Sequence, residues 1–284
     1  MTTRRQATTQ RERTRPGTKT YRDFTGSAAQ AYQRFFVPAI ATPVSTQLVN
    51  AAALRTGEAV LDVACGTGLI ARRAAAAVGV TGTVTGVDLA PDMIDVAAAT
   101  DQPQGADIEW QVTDAVSIPQ PDRSYDVALC QMGLMFIENK AAALAEMHRI
   151  LKFGGRIVIN VPGLIQPPFE GMASAIAEHI NPELAGFVRA VFSMHDPEPL
   201  GDLLAQVGFG EVATTEYVAE FDLPGPAEFL WQYINLTPMA PRIAEASEET
   251  QAEMEAQVVN SWAGWVVDGR VPLAQPMVLA TARR

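Results

Sequence analysis

Val60-Leu61-Asp62-Val63-Ala64-Cys65-Gly66-Thr67-Gly68 is the stretch on which the fold turns. An apolar run of the kind buried on both faces ends in a glycine turn, and Leu69–Val78 then has helical spacing. Gly66 and Gly68 permit a tight turn and let a ligand come close to the backbone. The same residues, Gly66-Thr67-Gly68-Leu69-Ile70-Ala71, also satisfy the loose dinucleotide pattern G-x-G-x-x-G/A. The turn alone therefore leaves the ligand open.

Outward from this turn the rhythm continues. Apolar runs at 59–64, 83–87, 108–112, 125–130 and 156–161 alternate with helical stretches at 69–78, 91–100 and 141–151. Strands spaced in this way predict right-handed βαβ units and a parallel sheet covered on both faces. Upstream, two helices are expected within 27–56, at 28–36 and 44–54, with Pro38 and Pro43 as punctuation. After Val161 the prolines 162, 167 and 168 break the rhythm. Helical stretches follow near 169–180, 184–191, 199–207 and 226–265, with strand-like runs at 211–221 and 276–282. The predicted fold is α/β: a Rossmann-like, doubly wound, mostly parallel seven-stranded sheet with an antiparallel edge hairpin and helical lid insertions. Such sheets bind ligands beyond the carboxyl ends of their strands, where the strand order reverses.

Three acids occupy those ends. Asp62 lies in the first strand, four residues before Gly66. A carboxylate there is a poor neighbour for a pyrophosphate and a good one for an ammonium group. Asp88 ends the second strand, placed to hydrogen-bond the two hydroxyls of a ribose. Asp114 follows the third, where a carboxylate accepts from an adenine amino group and the Ala115 N–H faces a ring nitrogen. Each acid alone also reads as a helix cap or a solvated loop residue. Together with the turn they describe one ligand with an amino-acid end, a ribose and an adenine: S-adenosylmethionine.

At this point the chain resembles the class I S-adenosylmethionine-dependent methyltransferases, and within them the ubiquinone/menaquinone-type small-molecule branch. The match is carried by Leu61-Asp62-Val63-Ala64-Cys65-Gly66-Thr67-Gly68, Gly86-Val87-Asp88-Leu89-Ala90-Pro91-Asp92-Met93, Asp114-Ala115, Tyr125-Asp126-Val127 and Leu151-Lys152-Phe153-Gly154-Gly155-Arg156. The resemblance covers 40–220 well and the helical C-terminal region loosely. It implies that the turn from Ala64 through Gly66 and Thr67 to Gly68 passes under the methionine moiety, with Asp62 near its amino group. It further implies that Asp88 holds the ribose, and that Leu89 and Met93 pack on the adenine with Asp114 and Ala115 at its edge. Cys130 and Gln131 would line the methionine end, and Tyr32 would close over the cofactor. Two residues depart from the family pattern: Ala64 stands where glycine is commoner, and Phe153, read as a packing residue, where proline is commoner.

The implied organisation is a disordered basic arm at 1–22 and an N-terminal helical cap at 23–56. The S-adenosylmethionine-binding core takes 57–161, 196–221 and 272–284, and a helical lid for the substrate takes 162–195 and 222–271. A sulfonium methyl is already electrophilic, so the protein has mainly to align a nucleophile and exclude water. A general base serves only an acceptor that must lose a proton. His195 is the candidate base, although it also reads as a loop residue near a helix cap. Met135, Phe136, Phe169 and Phe192 are the candidate acceptor-binding residues, in a region where most apolar groups must be core.

Composition limits the alternatives. The chain has 284 residues, 48% of them hydrophobic and 19% charged, which suits one large domain or one domain with an insertion. Residues 1–22 carry seven basic groups and one acid, a charge of +6, so the net −11 leaves −17 on 23–284. An acidic body repels a phosphate backbone, which argues against nucleic acid as the main partner; the partner the resemblance implies is a small-molecule acceptor. There is no run of 18 apolar residues for stable membrane insertion and no apolar core of a secretory signal. Cys65 and Cys130 stand outside any CxxC, which fits a reduced, cytoplasmic setting without a metal site. Trp262 and Trp265 either close the domain or form a subunit contact, leaving monomer and homodimer open. Three rivals remain: a methyltransferase-like enzyme that keeps its cofactor structurally while catalysing a rearrangement or cyclisation, a nicotinamide oxidoreductase, and a non-catalytic scaffold.

Overall fold

The structure, a computed structural model, describes residues 26–284; the basic arm expected at 1–22 lies outside the described residues. A helical run comes first, comprising α1 (Ala28–Ala31), a π-wound segment (Tyr32–Ala41) and α2 (Thr42–Ala52). The two separate helices expected here are one continuous run, and Pro38 does not end it. Proline has no N–H to donate and its ring crowds the preceding turn. Winding Tyr32–Ala41 more widely than an α-helix accommodates it, and Pro43 sits in the first turn of α2, where it is tolerated.

The alternating region follows: β1 (Ala59–Val63), α3 (Leu69–Val78), β2 (Thr83–Asp88), α4 (Pro91–Ala99), β3 (Ile108–Val112), β4 (Tyr125–Gln131), a single 3₁₀ turn (Leu134–Phe136), α5 (Lys140–Ile150) and β5 (Leu151–Pro162), which begins at Leu151 and not at the expected 156. The lid helices α6 (Pro167–His179) and α7 (Pro182–Ala190) come next, then α8 (Pro197–Val207) and β6 (Gly210–Leu223). After α9 (Pro226–Asn235), α10 (Ala240–Ala244) and α11 (Glu248–Trp262), the chain returns to the sheet as β7 (Val271–Arg283).

The seven strands lie in the order β3-β2-β1-β4-β5-β7-β6. The neighbours from β3 through β5 are parallel, and β7 runs antiparallel to both β5 and β6. Strand order reverses between β1 and β4. Val60, Leu61, Asp62 and Val63 are all buried, because helices cover both faces there.

The lid helices have a core of their own. Phe169 of α6 packs against Phe192, Phe229 and Trp262, with ring centroids 5.4, 5.9 and 6.3 Å apart. Trp262 is fully buried and its Nε1 donates to the Pro168 carbonyl at 2.7 Å, so this residue closes the domain. Phe153, read as a packing residue, packs at the surface. It is 74% exposed, with the guanidinium groups of Arg123 and Arg284 4.3 and 5.3 Å from its ring centre. The ring is held by cations at the surface. Among the described residues no helix is long and apolar enough to cross a membrane.

Candidate cofactor and acceptor site

A cavity of about 600 Å³ opens at the carboxyl ends of β1 to β4, at the reversal of strand order. Each strand tip contributes to it for a local reason. The chain leaving β1 must turn sharply into α3, and it does so with Ala64, Gly66 and Gly68 all at positive φ, 54°, 54° and 84°. Ala64 pays a steric cost that glycine would not. Its methyl also fills the space beside Gly133, where a Cβ would lie 2.5 Å from it. Gly68 is required twice over: its φ is left-handed, and an added Cβ would meet the Trp110 ring at 2.2 Å.

Asp88 at the tip of β2 is held by two backbone donors. Gly66 N–H donates to Oδ2 at 2.8 Å and Ala90 N–H to Oδ1 at 3.0 Å. One carboxylate thereby fixes both the glycine turn and the entry to α4, while lining the cavity. Asp114, after β3, is exposed and turns back to accept from Val116 N–H at 3.1 Å. Leu89, Met93 and Ala115 line the same side of the cavity. Gln131, at the end of β4, donates from Nε2 to the Ala41 carbonyl at 3.1 Å, which ties the strand tip to the helical cap. Its Oε1 is buried and has no partner among the described residues. Tyr32 lies over the turn, its ring atoms 3.6 to 3.8 Å from where a Gly66 Cβ would be. Burial raises the Tyr32 hydroxyl pKa, with Asp88, Asp62 and Cys65 adding to the effect, so the hydroxyl keeps its proton.

The structure thus brings Tyr32, Ala64, Gly66, Asp88, Leu89, Met93, Asp114, Ala115 and Gln131 to one cavity, with Phe136 at its edge. It places Asp62, Thr67, Gly68 and Cys130 behind that wall. Asp62 is 1% exposed and accepts from Ala71 N–H at 2.9 Å, satisfying an orphan donor in the first turn of α3. Burial pushes its carboxyl up to about 8, opposed by the Ala71 bond and reinforced by the Asp88 charge. Thr67 offers its carbonyl to Arg72 Nη2 at 2.6 Å. Burial, above all, pushes the Cys130 thiol up to about 12 and also raises that of Cys65, which leaves neither as a thiolate at neutral pH.

Beyond this cavity lies a second, much smaller one of about 30 Å³, lined by Phe169 and Phe192 among others. Met132 faces both cavities, and the stacked pair Tyr32–Phe36, 4.7 Å apart, has one ring on each. Met132 is itself at positive φ, 50°, and its N–H is held by the carbonyl and Oδ1 of Asn160, at 2.9 and 3.2 Å. A non-glycine residue held in this region carries backbone strain. One of the expected acceptor residues stands apart: Met135 is buried and lines neither cavity. Phe136, at the edge of the larger cavity, is half exposed and stacks on Phe187 at 5.8 Å. His195 is exposed, bonds through Nδ1 to the Phe192 carbonyl at 3.1 Å, and lines neither cavity. Sequence reasoning missed Gly133 and Asn160 as wall and support. The position of Gly133 just after a strand tip was the available signal for one of them.

Fold and cavity together define a Rossmann-like α/β protein built to take a nucleoside-bearing ligand at its strand tips. Comparison with known proteins narrows this. Residues 60–155 match the methyltransferase domain family. The chain is 32% identical over 181 residues to the ubiquinone/menaquinone biosynthesis C-methyltransferase UbiE of Citrifermentans bemidjiense, covering 58% of this chain and 74% of that protein. It is 38% identical over 122 residues to the aklanonic acid methyltransferase DauC of a Streptomyces species, covering 43% of this chain. The chain spans 56% of the length of DauC, and 60% of the UbiE protein of Bdellovibrio bacteriovorus. The crystal structure of the [4+2]-cyclase SpnF shares the fold, with a TM-score of 0.51 at 19% identity over 85% of this chain and 80% of that one. The chain belongs to the class I S-adenosylmethionine-dependent methyltransferases of the ubiquinone/menaquinone type.

The residues present fit that family's cofactor. A carboxylate and an unpartnered amide oxygen, Asp88 and Gln131 Oε1, supply acceptors for hydroxyl and ammonium donors. At Gly66 the nearest neighbour of the bare backbone is the Tyr32 ring.

Proposed function

We propose that the protein transfers a methyl group from S-adenosylmethionine to a small, hydrophobic or aromatic acceptor. The observation that carries this reading is the cavity formed by the tips of β1 to β4, which shares Met132 as a wall with a smaller space lined by aromatic residues. When bound, S-adenosylmethionine supplies an electrophilic methyl group and leaves as S-adenosylhomocysteine. The chain's own residues do the rest. Asp88 holds the ribose hydroxyls, Asp114 and Ala115 meet the adenine edge, and Leu89 and Met93 pack on its faces. Gln131 Oε1 accepts from the amino group. Asp62 acts from behind, by anchoring α3 and hence the turn. Tyr32 and Met132 shield the reacting end from water, and alignment of this kind contributes about 7–11 kcal/mol. In the same reading 23–56 is the cap, 57–161, 196–221 and 272–284 the core, and 162–195 with 222–271 the lid.

No histidine lines either cavity, so the reading needs no His195 base: its acceptor is a nucleophile without assistance, or one that loses its proton to solvent. The relatives named for quinone and aklanonic acid methylation support an aromatic acceptor. The test is turnover with a panel of hydroxylated naphthalenes and naphthoquinols: one S-adenosylhomocysteine is expected per acceptor consumed. Conversion of an acceptor to an isomer without S-adenosylhomocysteine release would favour the second reading, in which the cofactor is structural and the pocket catalyses a cyclisation or rearrangement. The fold likeness to a cyclase motivates it.

A further inference from the structure

Of the Asp, Glu, Lys and Arg side chains among the described residues, only Asp62 and Arg72 are buried, and both lie behind the glycine turn. Arg72 shares the inward face of α3 with Ile70, Ala71, Ala74, Ala75 and Val78, and is 9% exposed. Its guanidinium folds back to the start of the helix, so close to Gly68 that an added Cβ would lie 2.9 Å from Nη1. Two effects oppose a cation in this place. Burial strips its water, and the amino end of a helix is the positive end of its dipole. Burial lowers the Arg72 pKa, although a guanidinium remains protonated at neutral pH.

What offsets these costs is a pair of backbone carbonyls. Nη2 donates to the Thr67 carbonyl at 2.6 Å, inside the turn, and Nη1 to the Ala97 carbonyl at a longer 3.5 Å, in the last turn of α4. These are the two elements that Asp88 joins in front, through the Gly66 and Ala90 N–H groups. A carboxylate gathers two N–H groups on the cavity side, and a guanidinium gathers two carbonyls on the far side. Gly66 of the turn and Met93 of α4 both line the larger cavity, whereas Arg72 does not. The spacing between turn and helix is thus held from both sides, and a ligand that reaches across it depends on both clamps.

We propose that Arg72 is a positioning residue for the cofactor: its guanidinium fixes the glycine turn relative to α4, so that one S-adenosylmethionine meets the turn with its methionine end and α4 with its adenine. The inference rests on the methyltransferase reading above. It separates two kinds of ligand. One that spans both elements binds more weakly once the rear clamp is lost. One confined to the adenosine side, where Asp88 still holds the entry to α4, does not.

The test is calorimetry on full-length Arg72→Met with two probes. S-adenosylhomocysteine is the spanning ligand, and 5′-methylthioadenosine, which lacks the amino-acid end, is the short one, read by competition where its binding is weak. S-adenosylhomocysteine should bind the variant at least tenfold more weakly than the unaltered protein, and 5′-methylthioadenosine within threefold. A merely structural role would move the two ligands together, or move only the Tm. Arg72→Lys puts a single ammonium at the Thr67 carbonyl, without the planar fork that bridges to Ala97. It should weaken S-adenosylhomocysteine at least threefold, again sparing 5′-methylthioadenosine, and it decides the matter if Arg72→Met fails to fold. A smaller loss in the variant that folds, a comparable loss for both ligands, failure of both variants to fold, or an unaltered protein that does not bind 5′-methylthioadenosine overturns the proposal. S-adenosylhomocysteine bound by the unaltered protein keeps the methyltransferase reading whatever the variants do, whereas an unaltered protein that binds neither ligand removes that reading as well.

Discussion

Asp88 reaches the Gly66 and Ala90 N–H groups with separate oxygens, so one side chain sets both the turn and the helix entry that bound the cavity. Asp88→Ala removes these bonds along with the acceptors offered to the ribose. It should weaken S-adenosylhomocysteine binding by about 1.5–3 kcal/mol, measured by calorimetry, the range for hydrogen bonds to a charged group. Gly68 faces a different constraint, a left-handed φ under the Trp110 ring. Gly68→Ala should lower Tm by more than about 3 °C, since the cost exceeds the ~1 kcal/mol of the backbone penalty alone. Trp110→Phe in the same chain should recover part of that loss by making room for the methyl. Asp62 makes a prediction about pH. Its folded-state pKa is raised to about 8, chiefly by burial, from an unfolded value near 4. Between those values the folded protein keeps a proton that the unfolded chain releases, so this residue makes stability fall as pH rises from about 4 to about 8. Asp62→Asn cannot titrate and still offers an oxygen to Ala71 N–H. Its Tm should therefore fall less between pH 5 and pH 8 than that of the unaltered protein, and parallel profiles would show that Asp62 is ionised throughout.

Among the elements, β5 joins the sheet to the cap. Arg156 donates to Glu58 through Nη1 and Nη2, both at 2.8 Å, and to the Ala52 and Ala53 carbonyls at the end of α2. Lysine or arginine at a helix C-terminus satisfies its last carbonyls. Because the ion pair is mostly shielded from solvent, Arg156→Ala should cost about 2–4 kcal/mol in denaturant unfolding, more than a surface pair would. The strands and helices between 59 and 161 were legible in the sequence because each carries its own periodicity, and β1 begins where the apolar run begins. The continuous run from α1 to α2 was not. Proline signals a break, and only the burial of Ile40 and Val44 in the core shared with the lid shows why the run continues instead. The site residues divide in the same way. Asp88, Asp114 and Gln131 were legible because a strand tip is a position in sequence as well as in space. The retreat of Asp62 behind the turn was hidden, since one residue's register along a strand decides which face a side chain takes.

Across the whole molecule, the reversal of strand order and the long insertions before and after β6 bear on one place. The sheet supplies acceptors for a cofactor with cationic and hydroxyl donors. The helices inserted after β5 and β6 supply an apolar cover beside it. Helical periodicity in the insertions foretold that cover, but not which of its aromatic residues would be core: Phe169 packs mainly on other lid rings and lends only part of its surface to the small cavity. The Gly66–Ala71 stretch suits a nicotinamide cofactor equally well, so the ligand itself has to separate the two accounts. Calorimetry of the unaltered protein with S-adenosylhomocysteine and with NAD in parallel is the most direct measurement. Stoichiometric binding of S-adenosylhomocysteine with no heat from NAD is the predicted result, and binding of NAD without S-adenosylhomocysteine would contradict the account.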